Sequence, residues 1–232
     1  MHRQQAIGIF DSGAGGLSIA RSIKQLLPNE DLIYFADLAF SPYGEKSKKV
    51  LDERSEFVAQ FLIDQGCKAI VIACNTATVN SISRLRSKFS IPIIGVEPGI
   101  KPAALLSKSG VIAVLATEQT LKSDSFNSLK AEHSEAVTVL TKACPNFISL
   151  VEALNHDSKN AISAAEEYIH PLLIEGCDQI ILGCTHFSYL TKSIEKVVAG
   201  KATILDTAAP VAIEVNRRLL ELDCNNLTVD MG

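Results

Sequence analysis

No apolar run in the chain approaches the ~20 residues needed to span a bilayer, which argues against a membrane protein. The opening Met1-His2-Arg3-Gln4-Gln5 leads into a short apolar strand and not into a signal-peptide core. A basic surplus is also missing. With 22 Lys+Arg against 26 Asp+Glu and a formal net charge of −4, nothing in the global charge drives the chain to nucleic acid. There is no CxxC pair and no Cys/His grouping with zinc-ligand spacing, so no metal site is expected. The GxGxxG order of a dinucleotide site and the lysine of a Walker loop are absent too. What remains is a globular composition: 232 residues, 47% apolar and 21% charged, enough for a sizeable core in one or two domains. The six cysteines, without an export signal, read as free thiols in a reducing, cytoplasmic compartment.

Strand-length apolar runs recur at 6–10, 31–36, 69–73, 91–96, 111–116, 136–140, 179–182 and 203–205, separated by amphipathic stretches of helix length such as 15–27 and 50–63. Strands apolar on both faces, alternating with helices, predict an α/β fold with open, mainly parallel sheets covered by helices on both faces. The segment Gly66-Cys67-Lys68-Ala69-Ile70-Val71-Ile72-Ala73-Cys74 aligns without gaps on Gly176-Cys177-Asp178-Gln179-Ile180-Ile181-Leu182-Gly183-Cys184, 110 residues later. That repeat predicts two similar α/β halves. Crossovers are expected at Val96-Glu97-Pro98-Gly99 and at Asp206-Thr207-Ala208-Ala209-Pro210, with a C-terminal helix over 210–222. The expected domains are therefore a discontinuous first one, 1–97 plus 207–232, and a second one, 98–206.

In open parallel sheets ligands bind beyond the carboxyl ends of the strands, so the residues following each apolar run carry the functional information. After the first run comes Asp11-Ser12-Gly13-Ala14-Gly15-Gly16, a glycine turn before a helix. It suits an anion, or serves simply as a tight turn capped by Asp11 or Ser12. Asp37 follows the second run, then Ser41-Pro42-Tyr43-Gly44, which reads as a turn that places backbone N–H groups at a cleft, or as an ordinary Pro-primed β-turn. Cys74-Asn75-Thr76 follows the third run, Thr117 the fifth and Cys184-Thr185-His186 the seventh. Cys67, Cys144, Cys177 and Cys224 are expected to be inert. Cys74 and Cys184 differ, because each ends a strand at a matching place in the repeat and is followed by hydrogen-bonding residues.

Two thiols approaching one ligand from opposite sides fit inversion of a stereocentre without a cofactor. One thiolate removes a Cα proton, and the other thiol returns one to the opposite face. An ordinary thiol, with a pKa near ~8.5, needs a neighbour to exchange its proton at neutral pH. Asp11 suits Cys74, and His186 suits Cys184, although His186 also reads as a helix-start residue with only a capping role. Ser12, Asn75, Thr76 and Thr185 would hydrogen-bond the substrate.

The strings Ile9-Phe10-Asp11-Ser12-Gly13-Ala14-Gly15-Gly16-Leu17, Ile72-Ala73-Cys74-Asn75-Thr76-Ala77-Thr78, Gly95-Val96-Glu97-Pro98-Gly99 and Leu182-Gly183-Cys184-Thr185-His186-Phe187 resemble the cofactor-independent amino-acid racemases of the aspartate/glutamate superfamily, and among them the glutamate racemases. The resemblance implies two pseudo-symmetric domains with the active site between them, and interconversion of L- and D-glutamate for peptidoglycan synthesis with no cofactor. It implies catalytic roles for Cys74, Cys184, Asp11, His186 and, on a shorter motif, Glu152. It implies substrate contacts at Ser12, Tyr43, Gly44, Asn75, Thr76, Thr185 and His186, with Cys74 acting on the D-form and Cys184 on the L-form. The expected partner is a small-molecule substrate, glutamate; a homodimer is compatible with the family, and neither nucleic acid nor membrane is required. The chain departs from the family pattern at Ala36-Asp37-Leu38, at the bulky pair Glu118-Gln119, and in a C-terminus that stops soon after Leu222. Other readings are a racemase of another acidic amino acid such as aspartate, a catalytically weak glutamate-binding regulator on the same fold, and a thiol redox protein. Pyridoxal chemistry fits poorly, because the lysines lie in polar segments such as Glu45-Lys46-Ser47-Lys48-Lys49.

Overall fold

Eight strands alternate with helices in a computed structural model that describes residues 3–133 and 135–226. Met1 and His2, which opened the leader reading, and the last residues of the expected first domain lie outside the described residues. The chain divides into two compact units: Met1–Val96 with Ala208–Gly232, and Glu97–Thr207.

The first unit carries β1 (Ile7–Asp11), β2 (Leu32–Ala36), β3 (Ala69–Ile72) and β4 (Ile93–Gly95), all parallel, in the order β2-β1-β3-β4. Its helices are α1 (Leu17–Leu26), α2 (Lys48–Asp64), α3 (Asn75–Lys88) and, from the far end of the sequence, α10 (Ala208–Glu221). Because side chains alternate along a strand, each sheet feeds two cores. Ile7, Ile9, Val71 and Ile94 meet Ile19 and Ile23 of α1 and Val211, Val215 and Leu219 of α10. Phe10, Ile70, Ile72 and Ile93 meet Leu51, Val58 and Leu62 of α2 and Ala77 and Leu85 of α3. The C-terminal helix thus returns to the first unit because one face of that sheet is completed by it.

The second unit repeats the plan. Its strands β5 (Val111–Ala116), β6 (Thr138–Ala143), β7 (Gln179–Gly183) and β8 (Thr203–Leu205) are parallel in the order β6-β5-β7-β8. The helices are α4 (Ile100–Leu106), α5 (Glu118–Lys122), α6 (Asp124–His133), α7 (Pro145–Glu152), α8 (Lys159–Ile174) and α9 (Thr191–Val198). Ala113, Leu115, Ile180 and Leu182 pack under α7, α8 and α9, while Ile112, Val114 and Ile181 pack under α4 and α6.

The Gly-Cys that opens each repeat has a common physical cause. Gly66 (φ 79) and Gly176 (φ 86) are the left-handed residues that end α2 and α8. Their N–H groups bond to Ile63 and Leu173, and those of Cys67 and Cys177 reach back to Leu62 and Leu172. This is a Schellman ending, and the buried cysteine supplies its apolar contact.

Several local expectations change. The sixth strand runs over Thr138–Ala143 and not 136–140, because this edge strand ends in the half-polar sequence Thr141-Lys142, invisible to a search for apolar runs. The turn expected at Tyr43-Gly44 is a single 3-10 turn, Tyr43–Glu45, that starts after Pro42. Phe57 and Phe61, expected on the apolar stripe of α2, are largely exposed. One buried ion pair stands out at the amino ends of the first unit's strands. Lys68 Nζ lies 2.6 Å from Glu30 and donates to the carbonyl of Arg3, while Glu30 also accepts the N–H of Asn226. Among the described residues, no helix is long and apolar enough to cross a membrane.

Candidate active site

In the first unit the expected residues gather at the carboxyl ends of β1 and β3. Asp11 is the last residue of β1 and fully buried; its carboxylate accepts the N–H of Gly16 at 2.8 Å and of Gly13 at 3.3 Å. The glycine turn is therefore organised by Asp11 itself. A Cβ on Gly16 would stand 2.7 Å from Asp11 Cβ and 2.9 Å from Ala73 Cβ, so only glycine lets α1 start this close to the strand ends.

Cys74 caps α3, with its sulfur accepting the N–H of Ala77 at 3.5 Å and lying 3.7 Å from Ser12 Oγ. Burial, then the Asp11 carboxylate, push this thiol up to about 12; the Ala77 N–H and Ser12 pull the other way. The helix N-terminus favours a thiolate, but a buried anion beside a second anion costs more, so the resting group is the neutral thiol. Asn75 donates to the carbonyl of Val96, and Asn75 and Thr76 are buried in the first turn of α3.

Tyr43 is buried, edge-on to Phe10, and its hydroxyl donates to Asp37 Oδ2 at 2.6 Å. Burial and the Asp37 carboxylate raise the Tyr43 hydroxyl far above the ordinary phenol range, so it stays a donor. Gly44 is half-buried beside it.

In the second unit Cys184 follows β7 and begins a 3-10 helix, Thr185–Leu190, in which Thr185 and His186 are buried. His186 Nδ1 lies 3.9 Å from Cys184 Sγ, and His186 Nε2 lies 2.6 Å from Glu152 Oε1 at the end of α7. An ionised Glu152 can only accept, so it holds the proton on Nε2 and leaves Nδ1 facing the thiol as a base. Glu152, expected from a short motif, thus meets His186, and His186 meets Cys184.

Sequence reasoning missed Arg54, whose guanidinium bonds both oxygens of Asp37 at 2.8 and 3.0 Å. Asp37 was visible as a strand-end residue, but nothing in the spacing pointed from α2 to it. Cys67, Cys144, Cys177 and Cys224 are buried free thiols. Burial pushes Cys177 up to about 11 and Cys144 higher still. Among the described residues, no group of three or more His, Cys, Asp or Glu is placed to hold a metal ion.

Comparison with known proteins matches residues 7–214 to the Asp/Glu/hydantoin racemase family model. A glutamate racemase from Ectopseudomonas mendocina is 44% identical over 94% of this chain and 84% of its own. The crystal structure of a Francisella tularensis glutamate racemase in complex with D-glutamate superposes with a TM-score of 0.87 at 32% identity, covering 97% of this chain and 85% of that one. The Escherichia coli glutamate racemase, crystallised with L-glutamate and the activator UDP-MurNAc-Ala, gives 0.86 at 33% identity, over 93% of this chain and 83% of that one. With the family model matched over residues 7–214 and a relative 44% identical over 94% of the chain, the chain belongs to the Asp/Glu/hydantoin racemase family.

Proposed function

We propose that the protein is a glutamate racemase that interconverts L- and D-glutamate by a two-base mechanism and needs no cofactor. The observation that carries this is the pair of cysteines at the carboxyl ends of β3 and β7, each with its own proton partner. The identity to curated glutamate racemases supports the choice of substrate.

In the L-to-D direction, the Cys184 thiolate takes the Cα proton and becomes a thiol. The resulting carbanion accepts a proton on its opposite face from the Cys74 thiol, which is left as a thiolate. The reverse direction exchanges the roles. His186, oriented by Glu152, takes the Cys184 proton before abstraction, and Asp11 serves Cys74 in the same way. Raising the resting Cys74 thiol to about 12 keeps its proton in place until a carbanion needs it. Ser12, Asn75, Thr76 and Thr185 supply neutral hydrogen bonds to the substrate, and the N-terminus of α3 adds affinity for a carboxylate. Tyr43 and Gly44 complete the contacts. The product fits a supply of D-glutamate to peptidoglycan synthesis in the cytoplasm.

The test is incubation of purified protein with L-glutamate in deuterium oxide, without pyridoxal phosphate, followed by proton NMR and polarimetry. Loss of the Cα proton signal together with optical rotation is the expected result. Exchange of aspartate in place of glutamate would reassign the substrate, and no exchange with either would overturn the reading.

A further inference from the structure

The segment that joins β2 to α2 has no sheet ladder to hold it. It consists of two short 3-10 turns, Leu38–Phe40 and Tyr43–Glu45, and yet it must present Tyr43 and Gly44 to the substrate if the function proposed above is right. Beside the packing of Tyr43 on Phe10, its polar anchor is one buried carboxylate. Asp37 gives its backbone N–H to the carbonyl of Asp11 at 2.9 Å, which ties it to the end of β1. Its side chain, 3% exposed, accepts three bonds: one from the Tyr43 hydroxyl and two from the Arg54 guanidinium. Arg54 is itself clamped, with its guanidinium carbon 3.9 Å from the centre of the Phe40 ring and 4.6 Å from that of Phe57. The exposed Phe57 of α2 thus has a partner in Arg54.

We propose that Arg54 is a positioning residue for the substrate pocket: paired with Asp37, it fixes Tyr43 and so sets the Tyr43-Gly44 turn where glutamate binds. This rests on the racemase reading for its substrate but not for its mechanics. A planar fork meets both carboxylate oxygens at once and is pre-organised by stacking, which a lysine cannot reproduce. The arginine also offsets the charge of the buried carboxylate bonded to Tyr43, which packs in the same apolar cluster as Cys74, so the substrate's own carboxylates are not repelled from that side.

The experiment compares wild type, Arg54→Gln, Arg54→Lys and a control, Arg84→Gln, which removes an exposed pair with Glu56. Two readouts are used: steady-state racemisation in both directions, and hydrogen exchange over residues 37–47. Arg54→Gln is expected to raise KM for both enantiomers about ten-fold while kcat changes by no more than about three-fold. Exchange over 37–47 should quicken while the core strands keep their protection. Arg54→Lys should fall between Arg54→Gln and wild type, and Arg84→Gln should match wild type. Unchanged exchange in Arg54→Gln overturns the anchor, and quickened exchange with an unchanged KM overturns its role in substrate binding. If wild type does not racemise glutamate, the functional reading fails, and exchange alone still tests the anchor. Should Arg54→Gln not fold, Tyr43→Phe removes the other bond to Asp37, and the same exchange comparison decides.

Discussion

Cys74 and Cys184 end the same strand of two sheets with the same order, but their surroundings differ in kind. Cys74 caps a fourteen-residue α-helix and lies near a buried carboxylate. Cys184 starts a six-residue 3-10 helix and faces an imidazole backed by a glutamate. A full α-helix presents its aligned N–H groups to the sulfur, while a short 3-10 turn offers less field. Beside its thiol the second unit sets an imidazole backed by a glutamate, where the first sets the Asp11 carboxylate. In the first unit, Asp11 raises the thiol further, which suits a group that must hold a proton until it is required. Repetition of a backbone frame therefore fixes where a thiol stands and leaves open how it ionises.

The comparison breaks most visibly at the sulfurs. Cys74→Ser and Cys184→Ser should each lower racemisation by about a thousand-fold, yet each should keep the half-reaction of the remaining thiol. Cys184→Ser should exchange the Cα proton of D-glutamate with retention, and Cys74→Ser that of L-glutamate. Deuterium NMR on resolved enantiomers reads this, and full inversion in either variant would contradict the two-base assignment.

Glu152→Gln sharpens the contrast within the second unit. An amide no longer fixes the His186 proton on Nε2, so turnover should fall about ten- to a hundred-fold. If Cys184 takes the proton of L-glutamate, as proposed, the primary deuterium isotope effect should grow more for L-glutamate than for D-glutamate. Equal growth for both would place the relay elsewhere.

Gly16→Ala tests packing that belongs to the first unit. The added methyl would collide with Asp11 and Ala73, so stability to urea should drop by about 1–3 kcal/mol. Gly66→Ala and Gly176→Ala test what the units share. Neither methyl meets a close neighbour, so each should cost about 1 kcal/mol of left-handed backbone strain, and the two should cost the same.

The smallest effect is in the pH dependence of stability. The folded state holds the Cys74 proton from its ordinary 9.0 up to about 12. Between those values the unfolded chain binds fewer protons, so this group's contribution is complete below pH 9 and is lost as pH climbs toward 12. The thermal midpoint of Cys74→Ala should decline less steeply over that range than that of wild type.

The sheets were legible because both faces are buried, which makes central strands such as Val111–Ala116 uninterrupted apolar runs. Edge strand β6 drifted because Thr141 and Lys142 interrupt its apolar run. Cys74, Cys184, Asp11 and His186 could be read because each lies within three residues of a strand end, where a one-dimensional pattern still reports position. Arg54 could not, since it reaches Asp37 from the middle of a helix across 17 positions of sequence.

The Lys68–Glu30 pair has a topological consequence. It ties Arg3 and Asn226 to one buried charge pair, and Arg3 also bonds Asp223, so segments 220 residues apart meet at the foot of one sheet. A circular permutant with a short linker across that seam, reopened ahead of Ala208, would turn the interrupted unit into one uninterrupted stretch of chain. The two repeats would then follow each other in tandem, and each could be expressed alone to ask whether half of the molecule folds unaided.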